Sequence, residues 1–264
     1  MMINKPMIGV AAAVVVIATG TWYYLHNRHA AVPNVAAQAQ APAAAPDEAA
    51  IEHPVPAAPQ TAASGPLPAL ADSDAPLIDA LVKIAGASAV KDYLVPDSVI
   101  RHFVVTIDNL PRQKVAVQKR PIAPVSGSFV ADGDELHATL DAQNYARYQP
   151  LVAMAGKLDT QQLTAVYLRF YPLFQQAYQD LGYPNGYFND RLVQVIDNLL
   201  AAPQPTGPIA LVRPNVMYTF ADPALESRSA GQKLLMRMGP DNSAAIKAKL
   251  KELRAAIATA PPQR

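Results

Sequence analysis

Residues 159–200 contain two apolar helical repeats on either side of the turn Gly182-Tyr183-Pro184-Asn185-Gly186. Asp159 and Gln162 form a capping box that starts the first helix, and its apolar stripe continues across Pro172. A second stripe follows the turn. Because the connection is so short, we predict that the two helices fold back on each other as an antiparallel pair. This pair constrains the rest of the fold more than any other feature of the chain.

The N-terminal part of the chain contains an uncharged run at residues 7–25, which reads MIGVAAAVVVIATGTWYYL. The run is long enough to span a bilayer as a helix, and the aromatic residues 22–24 stand at its end, where such rings prefer the interface. We therefore predict a transmembrane helix over residues 7–25 after a cytoplasmic N-terminus at residues 1–6. A cleaved signal peptide is the alternative, but the A-x-A patterns at residues 37–41 lie far downstream of the apolar run.

Residues 26–66 are rich in alanine and proline and show no apolar periodicity. Proline repeatedly interrupts the helix propensity of alanine, so we predict a disordered linker here. It leads to a single globular domain at residues 67–259, followed by a disordered tail at 260–264. One N-terminal anchor followed by a tether is typical of a bacterial inner-membrane protein with its folded domain in the periplasm.

Helical patterns dominate the folded part. Helical spacing predicts further helices in six segments: from the Asp72-Ser73-Asp74 cap to the stop at Gly86, residues 87–94, from Val99 to a stop at residues 109–111, residues 141–156, residues 223–238, and from the Asp241 cap to about Thr259. The β-branched run at 104–107 makes a strand the competing prediction for the third of these. Predicted N-caps are the Asp72-Ser73-Asp74 segment, Asn185 or Asn189, and Asp241.

Two short segments carry hairpin signals. Asp132-Gly133 lies between alternating segments and predicts a β-hairpin at residues 128–140, and Pro214-Asn215 predicts a second at 209–220. With helices dominant, the fold class is α+β, predominantly α-helical: a bundle-like domain with two small hairpins.

Four blocks of sequence resemble a known family. The blocks are residues 100–111 (IRHFVVTIDNLP), 171–192 (YPLFQQAYQDLGYPNGYFNDRL), 221–226 (ADPALE) and 229–239 (SAGQKLLMRMG). In this order they are similar to the bacterial domain-of-unknown-function family DUF 3014. The resemblance implies an uncharacterised proteobacterial envelope protein with an N-terminal membrane anchor. It implies no activity, ligand or catalytic residue.

Composition excludes several classes of function. The formal net charge is +1, which gives no basic footprint for nucleic acid, and the chain has no cysteine for disulfides or thiolate sites. Ser88 and Lys91 match the S-x-x-K spacing of some serine nucleophiles, but the motifs that accompany it in those enzymes are missing. We therefore expect no catalytic residue, metal or cofactor.

Tyrosine, asparagine and arginine are dense around the central turn and shortly before it. These side chains combine flat apolar faces with hydrogen-bonding tips, as surfaces that bind a protein or glycan do. The candidate binding surface consists of Tyr145, Arg147, Tyr148, Tyr183, Asn185, Tyr187, Asn189 and Arg191. The alternative is that the tyrosines only seal the edge of the core.

The leading functional hypothesis is a non-catalytic binding or scaffolding module that reaches a protein or cell-wall partner from its membrane anchor. The rival hypothesis is an enzyme of cell-wall or glycan turnover that uses a carboxylate in a cleft, with Asp190, Asp222 and Glu226 as the candidates. The rival requires a buried acid with a raised pKa.

Overall fold

A computed structural model of the chain describes residues 50–56, 65–134 and 137–258. The segments predicted within residues 1–49 and the tail at 260–264, including the predicted transmembrane helix, lie outside these ranges. Among the helices that are described, none combines the length and the apolar character needed to cross a bilayer.

The described residues form nine α-helices and two antiparallel two-stranded sheets. In chain order they are α1 (Asp74–Ala85), α2 (Ala87–Tyr93), α3 (Val99–Asn109), β1 (Ala131–Asp132), β2 (Thr139–Leu140), α4 (Gln143–Lys157), α5 (Thr160–Asp180), α6 (Phe188–Leu200), β3 (Leu211–Val212), β4 (Thr219–Phe220), α7 (Pro223–Glu226), α8 (Ala230–Arg237) and α9 (Pro240–Ile257). Short 3-10 helices lie at Leu70–Asp72 and Val117–Lys119. The predicted class, α+β with helices dominant, is confirmed.

The main core lies between α3, α5, α6 and α9, which pack on one another. Phe170, Phe188 and Val195 are almost completely buried in it. The rings of Phe174 and Phe188 stack with their centroids 5.9 Å apart, which joins α5 to α6. Burying each large apolar side chain stabilises the fold by about 1.5–3 kcal/mol, so this cluster is the main source of stability.

The central helix pair forms as its sequence predicts. The Asp159 side chain accepts a hydrogen bond from the Gln162 N–H at 2.8 Å and caps α5. The helix then continues through Pro172 to Asp180. The connection at residues 181–187 returns the chain, so that α6 packs against α5.

Both predicted hairpins are present, and they also join each other. The Leu140 N–H donates to the Ile209 carbonyl at 2.9 Å, and the Leu211 N–H donates to the Ala138 carbonyl at 2.8 Å. The two hairpins and Met236 together form a second apolar cluster. Asp132-Gly133 opens a longer loop, because β1 ends at Asp132 and β2 begins only at Thr139.

The predicted cap of α1 serves a different helix. The Asp74 carboxylate accepts the Ser98 N–H at 2.7 Å and the Val99 N–H at 2.8 Å, at the start of α3. Ser73 precedes α1 but makes no capping bond, since its hydroxyl donates to the Leu70 carbonyl. The alternative strand at 104–107 is wrong, because these residues lie within α3.

The helix predicted over residues 223–238 is two helices. Ser229 interrupts it, and its hydroxyl oxygen accepts the Gln232 N–H at 3.2 Å to cap α8. The last helix begins at Pro240 with Gly239 in the capping position, so the prediction of Asp241 as its cap is wrong. Proline suits a first helical position because its missing N–H would have no partner there.

Candidate binding surface

The turn before α6 is held in one tight conformation. A Cβ atom on Gly186 would lie 2.8 Å from the Tyr178 ring and 2.9 Å from the Cβ of Tyr183, so only glycine fits. The rings of Tyr178 and Tyr183 stack at 4.6 Å. The Gln175 amide donates to the Gly186 carbonyl at 2.7 Å and its oxygen accepts the Phe188 N–H at 2.8 Å. These contacts fix the start of α6.

Residues 50–56, which we call the strap, lie on this end of α6. The predicted linker includes them, and its boundaries remain a prediction. The Asp190 carboxylate accepts the Glu52 N–H at 3.1 Å and the His53 N–H at 2.6 Å. One side chain therefore holds two consecutive main-chain donors of the strap.

Two further side chains complete the contact with the strap. The Tyr187 hydroxyl accepts the Val55 N–H at 3.0 Å, and the Asn189 amide donates to the His53 carbonyl at 2.8 Å. All four of these strap groups belong to the main chain. The surface thus recognises peptide backbone through side chains that project from the start of α6.

Asn189 is fixed in place by the folded domain. It is fully buried, its oxygen accepts the Tyr167 hydroxyl at 2.9 Å, and its amide also donates to the Ile257 carbonyl at 3.0 Å. The prediction that Asn185 or Asn189 caps α6 is wrong: Tyr187 occupies the cap position without a capping bond. Asn189 is instead oriented towards the strap.

Aromatic rings form the wall behind this site. Tyr171 lies between Tyr167 and Tyr187, with ring centroids 5.7 and 5.8 Å away. Burial raises the pKa of Tyr167 and of Tyr171, and the neighbouring Tyr187 raises both further. Both phenols act as hydrogen-bond donors, Tyr167 to the Asn189 side-chain oxygen at 2.9 Å and Tyr171 to the Gln175 side-chain oxygen at 3.1 Å.

The rest of the turn is fastened to α3 by a buried charge. The Asp108 carboxylate pairs with Arg112 at 2.6 Å and with Arg191 at 3.0 Å. The Tyr183 hydroxyl accepts from Arg112 at 2.8 Å and donates to Asp108 at 3.3 Å. Asp108 in turn raises the pKa of the Arg112 guanidinium. Tyr183 and Arg191 thus hold the turn in position, while Asn185 is exposed in it.

The three predicted surface residues on α4 serve another part of the domain. Arg147 donates to the carbonyls of Ser126 at 2.9 Å and Gly127 at 2.8 Å, and so holds the loop before β1. Tyr145 packs against the hairpin cluster, and burial raises the pKa of its phenol. Tyr148 packs against a third small cluster around Leu235. The structure does not bring these residues into the strap site.

The acids proposed for catalysis have structural partners. Asp222 accepts the Ala224 N–H at 2.8 Å and caps α7. Burial acts to raise the pKa of Glu226, but the Lys233 ammonium at 2.7 Å and the Phe220 N–H outweigh it and leave that pKa lowered. Asp190, the third candidate acid, accepts two main-chain N–H groups of the strap. Within the described ranges, no three His, Cys, Asp or Glu side chains are grouped to hold a metal ion.

Sequence reasoning missed the strap and the residues that support its site. Ile51-Glu-His-Pro-Val55 interrupts the alanine and proline composition around it, which is a compositional signal for a separate role. The sequence offers Asp190 only as a catalytic candidate, whereas in the structure its carboxylate accepts two main-chain N–H groups of the strap. Gln175 and Tyr167 carried no local signal, because each acts on a residue more than ten positions away.

Comparison with protein families identifies the family of this chain. A family model described as "Protein of unknown function (DUF3014)" matches residues 99–254, which is more than half of the chain. The matched range contains all four of the sequence blocks noted above. No curated protein and no solved structure matches the chain.

Proposed function

Because the chain belongs to the family of proteins of unknown function DUF3014, we propose its function from its own surfaces: it is a non-catalytic binding or scaffolding module tethered to the membrane of the bacterial cell envelope. Its binding surface comprises Tyr187, Asn189 and Asp190 at the start of α6. The partner is a protein that presents a short, bent segment of main chain.

The capture of main-chain groups carries this proposal. A carboxylate, a phenol and a carboxamide within four residues satisfy three N–H groups and one carbonyl of a segment that bends at Glu52 and His53. Main-chain hydrogen bonds supply affinity in recurring modes of peptide recognition. A surface of this kind accepts many side-chain sequences, which suits a scaffold with protein partners.

The rigidity of the surface supports binding over chemistry. Asn189 is held by Tyr167 and Ile257, and the turn before it is closed by Gln175. Preorganised polar groups reduce the entropy lost when a partner docks. The carboxylates considered for glycan hydrolysis are engaged with helix starts, a lysine or the strap.

The envelope location is part of the proposal. We place residues 7–25 in the inner membrane as a single span, with a cytoplasmic N-terminus and a periplasmic folded domain. The linker raises the effective concentration of the domain near partners at the same membrane. A reporter fused after Arg264 tests the orientation: activity of a periplasm-specific reporter is expected, and activity of a cytoplasm-specific reporter alone would contradict the proposal.

Affinity capture from solubilised envelopes tests the binding function. Full-length protein is compared with the Tyr187→Phe, Asp190→Ala double variant. We expect an envelope protein to be enriched by the unmodified chain and lost with the double variant. Asp241→Ala is the matched control, because it also removes an acid from the first turn of a helix, at an exposed position outside the strap site. A protein captured equally by all three forms, or co-sedimentation with purified cell wall alone, would contradict a protein-binding role for this surface.

A further inference from the structure

The strap presents a definite pattern of main-chain groups. The N–H groups of Glu52 and His53 donate to the Asp190 carboxylate, and the Val55 N–H donates to the Tyr187 hydroxyl. The His53 carbonyl accepts from the Asn189 amide. Proline fits at position 54 because no N–H is needed between the second and third donors. The pattern is therefore X-X-Pro-X, with the first two and the last residue as donors.

The side chains at the start of the strap contribute little to the contact. Ile51 remains 47% exposed and Glu52 is exposed as well, whereas residues 53–56 are half-buried. The strap bends at Glu52 and His53, which lets one carboxylate accept two consecutive N–H groups, while the phenol accepts the N–H two residues further on. Another peptide with the same bend and the same spacing of donors can make the same hydrogen bonds.

We infer that the strap is an internal ligand that occupies the partner site, and that a partner's X-X-Pro-X segment with the same bent main chain binds only when it displaces the strap. This inference rests on the proposed function and names its ligand class and its regulation. The strap is joined covalently to the domain through residues 57–64, so its effective concentration at the site is on the order of millimolar. A free peptide must compete with it.

Competition predicts that disabling the strap increases affinity for an added peptide. The probe is a fluorescently labelled peptide of residues 50–56, Ala-Ile-Glu-His-Pro-Val-Pro, titrated by fluorescence anisotropy against the full-length protein in detergent. The strap variant is Glu52→Pro, His53→Pro, Val55→Pro, which removes the three donated N–H groups but leaves the domain side of the site unchanged. Ala50→Pro is the matched control in the same segment.

We expect the strap variant to bind the probe about tenfold more tightly than the unmodified chain or Ala50→Pro, because the internal competitor is gone. Adding Asp190→Ala to the strap variant is expected to abolish that gain. Equal affinity of the strap variant and the unmodified chain would overturn the inference, as would the absence of saturable binding to every form. His53→Pro alone, which removes the 2.6 Å bond, gives a second test with a smaller change.

The outcome is separable from that of the proposed function. Probe binding that follows this pattern, without capture of any envelope protein, would contradict the proposed function and leave the internal ligand supported. If an envelope protein is captured equally strongly with and without the strap substitutions, the proposed function is supported and the internal ligand is contradicted.

Discussion

The carboxylate of Asp108 on α3 lies 3.0 Å from the guanidinium of Arg191 on α6, and only 6% of the Asp108 side chain is exposed. Arg112 approaches the same carboxylate to 2.6 Å. A buried charge is tolerated only while its partners remain, since removing one leaves a desolvated ion without full compensation. This cluster is therefore a point of high sensitivity in the fold.

Arg191→Ala is expected to lower the free energy of unfolding by about 3 kcal/mol, because Asp108 stays buried with one cation fewer. Arg101→Ala is the control. Arg101 also lies 3.0 Å from an acid, Asp180, but both side chains are more than 40% exposed, so the expected loss is below about 1 kcal/mol. Urea unfolding measures both variants, and similar losses would contradict the assignment of the Asp108 cluster.

Gly239→Ala is expected to be more damaging than Gly86→Ala. Both glycines have backbone angles that only glycine adopts readily, with φ 88° and ψ 163° at Gly239 and φ 85° and ψ 151° at Gly86. Each substitution carries strain of about 1–3 kcal/mol. A Cβ at residue 239 would also lie 2.5 Å from the Tyr145 ring, whereas one at residue 86 meets no atom within 4 Å.

The difference between these two glycine variants isolates the clash with Tyr145. We expect about 1–3 kcal/mol of additional destabilisation at position 239. Thermal unfolding of the two proteins under the same conditions provides the comparison. Equal destabilisation would show that the close approach of Tyr145 contributes nothing.

Glu226→Gln is expected to lower stability by about 1 kcal/mol at pH 7, with the difference disappearing in acid. Lys233 and the Phe220 N–H lower the pKa of Glu226 below its ordinary 4.5, against the effect of burial. The stability from this carboxylate is thus fully present above pH 4.5 and is lost as the pH falls through the lower, folded-state pKa. Urea midpoints of both proteins at neutral and acid pH test this, and a difference that persists unchanged in acid would contradict it.

Tyr187→Phe is expected to release only one end of the strap. It removes the oxygen that accepts the Val55 N–H, so exchange of the Val55 amide with solvent should accelerate about tenfold. The His53 amide should change less, because it is held by Asp190. Hydrogen exchange of the Val55 and His53 amides, followed by NMR, measures both effects. Tyr218→Phe is the control, because it changes a tyrosine that packs on Phe129. An unchanged exchange rate of the Val55 amide would contradict its hydrogen bond to Tyr187.

Local signals in the sequence predicted much of the fold. Asp159 caps α5 through a residue three positions away, and Gly86 ends α1 with a positive φ, so each is decided by near neighbours. Asp74 carries the same kind of signal, yet it binds N–H groups 24 and 25 residues away. A capping residue in a sequence does not specify which helix start it will serve.

The candidate site was only partly predictable for the same reason. Tyr187 and Asn189 were identified from residue type and position. The segment that they bind could not be, because Asp190 accepts the main-chain N–H of His53 across a separation of 137 residues. Main-chain recognition leaves no side-chain pattern in the segment that is recognised.

In the envelope arrangement that we propose, the docked strap also sets the residue from which the membrane tether leaves the domain. The proposed tether would end at residue 50 with the strap docked and at residue 65 with the strap released. At about 3.1 Å per residue, release would lengthen the tether by up to about 50 Å. Because the volume that a tethered domain can reach grows with the cube of the tether length, release of the strap from Asp190 would change how far from the membrane the domain finds partners.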